Sequence, residues 1–253
     1  MIHLLKLAIK AALESKRQAL LDANNLNVLS SHFKDIKTLT DLRMNEIICK
    51  SLSKTGIPIL SEEEVFSLKE IPEVCWIIDP LDGTLNFSRK YPCVGISIAL
   101  LENGIPVLGV VVDVFNNIQF TSLKDNGAWR NGEQIRVSTT DKIKDGVLAT
   151  GFPSGSSYNK EVLLDFVTQV QEFKKIRAIG AASLMLSYVA SGVFDVYYEK
   201  DIYIWDVAAG LSLVSEGGGM YVMQKSSNIF KYEILASNKN IFEKAKKILI
   251  KSH

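Results

Sequence analysis

Residues Cys75–Phe87, CWIIDPLDGTLNF, run an apolar segment straight into two carboxylates three positions apart. Carboxylates at the end of a core element are costly to bury unless they are paired or hold a metal. Pro80 has no N–H to give a sheet ladder, so the strand is expected to end at Asp79 and turn. In a continuing strand Asp79 and Asp82 would face opposite sides, whereas a turn swings Asp82 back beside Asp79. Gly83 is expected to let backbone approach a ligand. Thr84 can open a helical turn whose free N–H groups suit phosphate. A plainer role also fits, with Asp79 forming a turn and Asp82 capping the helical turn.

Other acids compete for the same space. Glu62, Glu63 and Glu64 follow the short apolar run IPIL, so they too stand at a strand end. Asp206, in YIWDVAAG, starts a helix of small residues, and Asp41, in TLTDLRMNE, sits in a first helical turn. The three histidines, His3, His32 and His253, lie near no motif. An all-oxygen donor set argues for a hard cation such as Mg²⁺ rather than zinc. Two carboxylate-bound cations beside a phosphate cradle would make a two-metal phosphoryl hydrolase site.

The composition sets the background. A formal net charge of +1 gives no electrostatic case for nucleic acid or a membrane surface as partner. With 253 residues, 47% of them hydrophobic, the chain can build a sizeable core. Cys49, Cys75 and Cys93 make no disulfide framework and no CxxC, which points to a reducing cytoplasm. The N-terminal MIHLLKLAIKAALESKRQALL lacks a basic n-region and has helical spacing at Leu4, Leu7, Ala8, Ala11 and Ala12, so it reads as an amphipathic helix.

A second helix is expected from about Thr38–Asp41 to Lys54, stopped by Gly56 and Pro58. After Pro92, the ENG, DNG and RNG turns favour antiparallel hairpins. From about Lys144, strand and helix patterns alternate in the manner of a layered α/β arrangement. The expected division is an N-terminal α+β half, residues 1–140, carrying most of the candidate ligands, and a C-terminal α/β half, residues 141–253.

With these residues assembled, the chain resembles the inositol monophosphatase family, which sits in a wider set of lithium-sensitive, magnesium-dependent sugar and nucleotide phosphatases. The resemblance is carried by Asp41, Glu62-Glu63, DPLDGT at Asp79–Thr84 and WDVAAG at Trp205–Gly210, in that order. It implies a layered αβαβα sandwich and a usual homodimer. It also implies that Glu62, Asp79 and the Leu81 carbonyl hold one Mg²⁺, and that Asp79, Asp82 and Asp206 hold a second. A third, weaker ion would lean on Glu62. Mn²⁺ could substitute, while Li⁺ and Ca²⁺ would inhibit. The N–H groups of Gly83 and Thr84 would hold phosphate, and Thr84 with Asp41 would orient and help deprotonate the attacking water. Glu199 and the Ala182 backbone would contact the polyol. Glu64 would be a bystander. Two departures stand out: Gly180-Ala181-Ala182-Ser183 lacks the hydroxyl that the family carries at the second position, and Tyr203 stands where some members have a substrate-facing His.

The expected reaction is Mg²⁺-dependent hydrolysis of a small polyol or sugar phosphate, inositol monophosphate foremost. Fructose 1,6-bisphosphate, 3′-phosphoadenosine phosphates, NADP and histidinol phosphate are alternatives within the wider set. A haloacid-dehalogenase-type phosphatase needs Asp-x-Asp-Gly-Thr, and here the acids are three apart with Pro between. A regulatory or binding protein that keeps only the fold is the alternative from another class.

Overall fold

Leu4, Ala8, Ala11, Ala12, Ser15 and Ala19 form one buried stripe along α1 (Ile2–Asp22), the spacing a helix needs to set a face on a core. In the computed structural model the described residues are 1–24, 28–32, 35–64, 70–152, 159–226 and 228–250, with the side chains of 31–36 outside the description. A hairpin of β1 (Val28–His32) and β2 (Asp35–Thr38), unanticipated from the sequence, follows α1. α2 (Leu39–Leu52) then starts at a capping box between Thr38 and Asp41. The αL glycine Gly56 lies just beyond a short 3₁₀ turn after α2.

The first sheet strings seven strands in chain order: β3 (Ile59–Ser61), β4 (Val74–Asp82), β5 (Gly95–Glu102), β6 (Ile105–Asp113), β7 (Ile118–Leu123), β8 (Ala128–Arg130) and β9 (Glu133–Ile135). β3 and β4 are parallel, and the other neighbours are antiparallel. The ENG and RNG turns close β5–β6 and β8–β9 with both turn residues at positive φ, Asn103-Gly104 and Asn131-Gly132, as type I′ hairpins demand. CWII shows no polar alternation because both faces of β4 are covered. Trp76 and Ile78 pack toward α1 and α2, while Cys75 and Ile77 pack toward the opposite layer.

β4 does not stop at Asp79. It continues through Pro80 and Leu81 to Asp82, and its register with β5 shifts between Asp79↔Ser97 and Asp82↔Gly95. A bulge leaves the extra residues without ladder partners, so Pro80 sits where no N–H is needed. The bulge does the work expected of a turn and keeps Asp82 near Asp79. The helical turn follows as α3 (Thr84–Ser88).

The second sheet has the order β11-β10-β12-β14-β13, built from β10 (Val147–Thr150), β11 (Lys175–Arg177), β12 (Val196–Tyr203), β13 (Met220–Lys225) and β14 (Lys231–Ser237). β10 is parallel to both neighbours, and the remaining pairs are antiparallel. The helices of this half are α4 (Lys160–Val170), α5 (Ala182–Ala190), α6 (Ile204–Glu216) and α7 (Phe242–Leu249). α5 and α6 lie between the sheets, and their apolar residues share one core with Phe120 and Val111 on one side and Tyr197, Ile234 and Ala236 on the other. α1 and α2 cover the outside of the first sheet. Phe242, Ala245 and Leu249 of α7 cover the outside of the second. The layers therefore run α, β, α, β, α, as the resemblance implied. Glu199 and Tyr203, expected from the sequence on a loop connecting a strand that ends near Glu199 to the helix that starts near Asp206, both lie on β12. That strand bulges between Glu199 and Ile202 and runs directly into the helix.

Candidate active site

Four elements deliver the acids to one place: the end of β3, the bulged end of β4, β12 and the first turn of α6. Asp79 is 2% exposed and Asp82 7%. Burial, then the negative charges of Glu62, Asp82 and Asp206, hold the Asp79 carboxyl well above the usual carboxylate range. Asp206 is raised in the same way, by burial first and then by Glu62, Asp82 and Glu199. The Asp79 carboxyl lies close to those of both Glu62 and Asp206, and its Oδ1 accepts the Leu81 N–H at 2.9 Å. Glu62 keeps solvent-exposed surface as a residue, but its carboxyl lies crowded among protein atoms. Burial of that carboxyl, then Glu63, Asp41 and Asp82, push it up to about 8. Among the described residues, none of the largest influences on these acids is a cation.

The three glutamates of SEEE divide their work. Glu63 pairs with Lys37. Glu64 Oε1 accepts the Asn45 side-chain N–H at 2.9 Å. Glu62 is left to the acidic cluster.

The expected Thr84–Asp41 pair is present: Thr84 Oγ1 lies 2.9 Å from Asp41 Oδ1. The same hydroxyl is 3.0 Å from the Leu81 carbonyl, the backbone oxygen assigned to a cation by resemblance. Asp41 Oδ2 accepts the Thr38 N–H at 2.8 Å and the Thr38 hydroxyl. These bonds oppose the upward push that burial gives its carboxyl.

Asp82 is anchored differently from the plainer expectation. It caps α5, not the turn at Thr84. Ala182 N–H donates to Oδ1 at 3.3 Å, and both the N–H (2.8 Å) and the hydroxyl of Ser183 donate to Oδ2. Burial still raises Asp82 to about 6 against those bonds. Ala182, whose backbone the resemblance gave to substrate, thus turns its N–H to Asp82. Gly83 stands at the start of α3. At φ 89° it needs to be glycine, and a Cβ there would meet the Cys93 and Gly180 carbonyls at 2.9 and 3.1 Å. The close approach at Gly83 is to this chain's own backbone.

Glu199, 5% exposed, faces the cluster. Burial and then the charge of Asp82 raise it to about 8. Gly151 makes room for it, since a Cβ there would stand 2.7 Å from Glu199 Oε1. Tyr203 does not point freely at the site: its ring stacks on Trp205 at 4.4 Å and lies under the Lys231 ammonium at 4.5 Å. His3 is exposed on α1, whereas the side chain of His32 and all of His253 lie outside the described residues.

Sequence reasoning missed three residues. Tyr197 lies two positions before Glu199, hence on the same strand face, and its buried hydroxyl neighbours that carboxyl. Period-two spacing could have found it. Ser183 was visible only as a misplaced hydroxyl in GAAS. Asn86 bonds the Cys93, Ile179 and Gly180 carbonyls from 2.7 to 3.2 Å and ties α3 to the approach of α5; no local signal announced it.

The donor set suits a hard divalent cation, because four acids crowd together with no cationic side chain among their main influences. Among the described residues no three or more His, Cys, Asp or Glu side chains form a ready-made chelating group.

This order of layers, with acids gathered where the first sheet meets the inner helices, defines a layered α/β protein with an acidic site of the hard-cation type. Comparison with known proteins gives the narrower identity. The profile of the inositol monophosphatase family matches residues 2–252, and the chain belongs to that family. It is 35% identical to the Nus factor SuhB of Pseudomonas aeruginosa, over 95% of this chain and 93% of that protein. It is 35% identical to a fructose-1,6-bisphosphatase/inositol-1-monophosphatase of Thermotoga maritima, over 86% and 83%. The solved extragenic suppressor protein SuhB of Bartonella henselae superposes with a TM-score of 0.86 at 32% identity, covering 98% of each chain.

Proposed function

We propose that this protein hydrolyses the phosphomonoester of a small polyol or sugar, inositol monophosphate foremost, with Mg²⁺ as cofactor. The observation that carries the reading is Asp79, 2% exposed and pressed by three other carboxyls, with no cation of the described residues among its main influences. Glu62, Asp79 and the Leu81 carbonyl would hold one ion, Asp79, Asp82 and Asp206 a second, and Glu62 with solvent a weaker third. Bound there, the ions supply charge neutralisation for the phosphoryl group and for the departing alkoxide.

The chain's own groups do the rest. Thr84 Oγ1, in contact with Asp41 Oδ1, orients the attacking water and passes its proton toward that carboxylate. The N–H groups of the N-cap Gly83 and of Thr84, at the start of α3, would meet phosphate oxygens. In its ionised form Glu199 accepts polyol hydroxyls and repels a second phosphate, which favours a polyol monophosphate over a bisphosphorylated nucleotide. Free Cys49, Cys75 and Cys93 fit the cytoplasm, and among the described residues no helix is long and apolar enough to cross a membrane. Assembly as a homodimer and a division into halves near residues 138–144 belong to the same proposal.

The experiment is phosphate release from a panel of inositol 1-phosphate, fructose 1,6-bisphosphate, 3′-phosphoadenosine 5′-phosphate, NADP and histidinol phosphate, with Mg²⁺ or EDTA. Inositol 1-phosphate should turn over fastest and EDTA should abolish release. A preference for 3′-phosphoadenosine 5′-phosphate would overturn the substrate, and EDTA-resistant turnover would overturn the cofactor.

A further inference from the structure

The two oxygens of Asp82 are unequally engaged. Oδ2 accepts two donors from Ser183, the N–H at 2.8 Å and the hydroxyl at closer range, while Oδ1 has one longer contact, the Ala182 N–H at 3.3 Å. The helix these residues open has Ala181 at its N-cap, with no side-chain cap of its own. Asp82 reaches across from β4 to supply it. A second observation comes from β5. Gly95 is the ladder partner of Asp82, and a Cβ on it would stand 2.3 Å from Ser183 Oγ and 3.6 Å from Asp82 Oδ2. The bare backbone at 95 is what leaves space for the serine hydroxyl.

We propose that Ser183 is a positioning residue for the divalent-cation site, fixing Asp82 Oδ2 so that Oδ1 is the oxygen with lone-pair capacity left for a cation. The proposal rests on the Mg²⁺ reading above. The hydroxyl that the family pattern carries at position 181 is absent here, and a hydroxyl two residues later touches a candidate ligand instead. Groups that hydrogen-bond a ligating side chain commonly govern metal affinity by 10- to 100-fold. The ladder places Gly95 in the same device: a side chain there displaces the serine hydroxyl without touching any ligand's covalent structure.

The test is calorimetric titration of Mg²⁺ into the metal-free wild type, Ser183→Ala, Gly95→Ala and the double variant, with metal-free melting curves recorded for all four. Ser183→Ala should bind Mg²⁺ about 10-fold more weakly. Gly95→Ala should weaken binding in the same direction, and the double variant should bind no more weakly than the poorer single, because both act through one contact. If Ser183→Ala matched a wild type that does bind Mg²⁺, while melting lower, Ser183 would be a helix cap only and the proposal would fall with the proposed function intact. A wild type that takes up no Mg²⁺ would overturn both.

Discussion

Thr84 has one hydroxyl hydrogen and two acceptors within reach, Asp41 Oδ1 at 2.9 Å and the Leu81 carbonyl at 3.0 Å. Thr84→Ala keeps the backbone N–H and loses the relay, so kcat should fall by roughly 10²–10⁴-fold with KM little changed. A rise in KM alone would make Thr84 a binding residue. Glu199 makes a separate, pH-dependent prediction. Its folded carboxyl, raised to about 8 by burial and then Asp82, holds a proton that the unfolded chain, with an ordinary carboxylate near 4.3, has released. Between those values the folded state binds more protons, so stability falls as pH rises, with a slope of up to about 1.4 kcal/mol per pH unit for one proton. Glu199→Gln should flatten the urea midpoint of metal-free protein between pH 5 and pH 8, and an unchanged slope would show that Glu199 does not carry it. The acids that gather at the candidate site were legible because buried acids after apolar runs are costly and therefore conspicuous. How each is held was not: the Ser183 and Ala182 bonds to Asp82 span about a hundred positions, beyond any local pattern.

At the scale of elements, α6 lies on β6 with almost no space between them. A Cβ on Gly109 would stand 2.5 Å from the Ala209 carbonyl and 2.9 Å from Ser122 Oγ, whose hydroxyl bonds Ser212 across the same interface at 2.8 Å. Gly109→Ala should destabilise the protein by about 1–3 kcal/mol through overpacking, read from urea denaturation, and should disturb Asp206 by shifting α6. A change below about 0.5 kcal/mol would mean the interface yields freely. The hairpins and the alternating second half were legible because Asn-Gly turns and helix periods are local signals. Pro80 misled: its missing N–H argues for a strand end, but a bulge supplies a ladder position that needs none. The connection expected between Glu199 and Asp206 is absent for a related reason, since a bulge with Asp201 at φ 61° lets β12 continue into α6. The hairpin of β1 and β2 gave no strong pattern of its own.

The central core is shared by both sheets through α5 and α6, with further clusters under α1 and α2 and under α7, and the link between sheets is pinned by Asp195. That buried carboxylate accepts the Ser138 hydroxyl at 2.6 Å and the Val147 N–H at 2.7 Å, and Asn238 bonds the same Ser138. The chain should therefore unfold in a single transition, with tryptophan fluorescence and far-ultraviolet circular dichroism coincident. Asp195→Ala should lower stability by about 1–3 kcal/mol, because it strands buried donors. Separate transitions would show that the halves fold independently. Asp79 stands where the layers and the acids converge, so it offers the most direct measurement of the central claim: phosphate release from inositol 1-phosphate as Mg²⁺ is titrated, in wild type and Asp79→Asn. Wild-type activity should rise from nothing with Mg²⁺, and Asp79→Asn should lose on the order of 10³-fold in kcat/KM, about 4 kcal/mol, more than Asp82→Asn or Asp206→Asn. Near-wild-type turnover by Asp79→Asn at saturating Mg²⁺ would contradict the assignment of this cluster as the cation site.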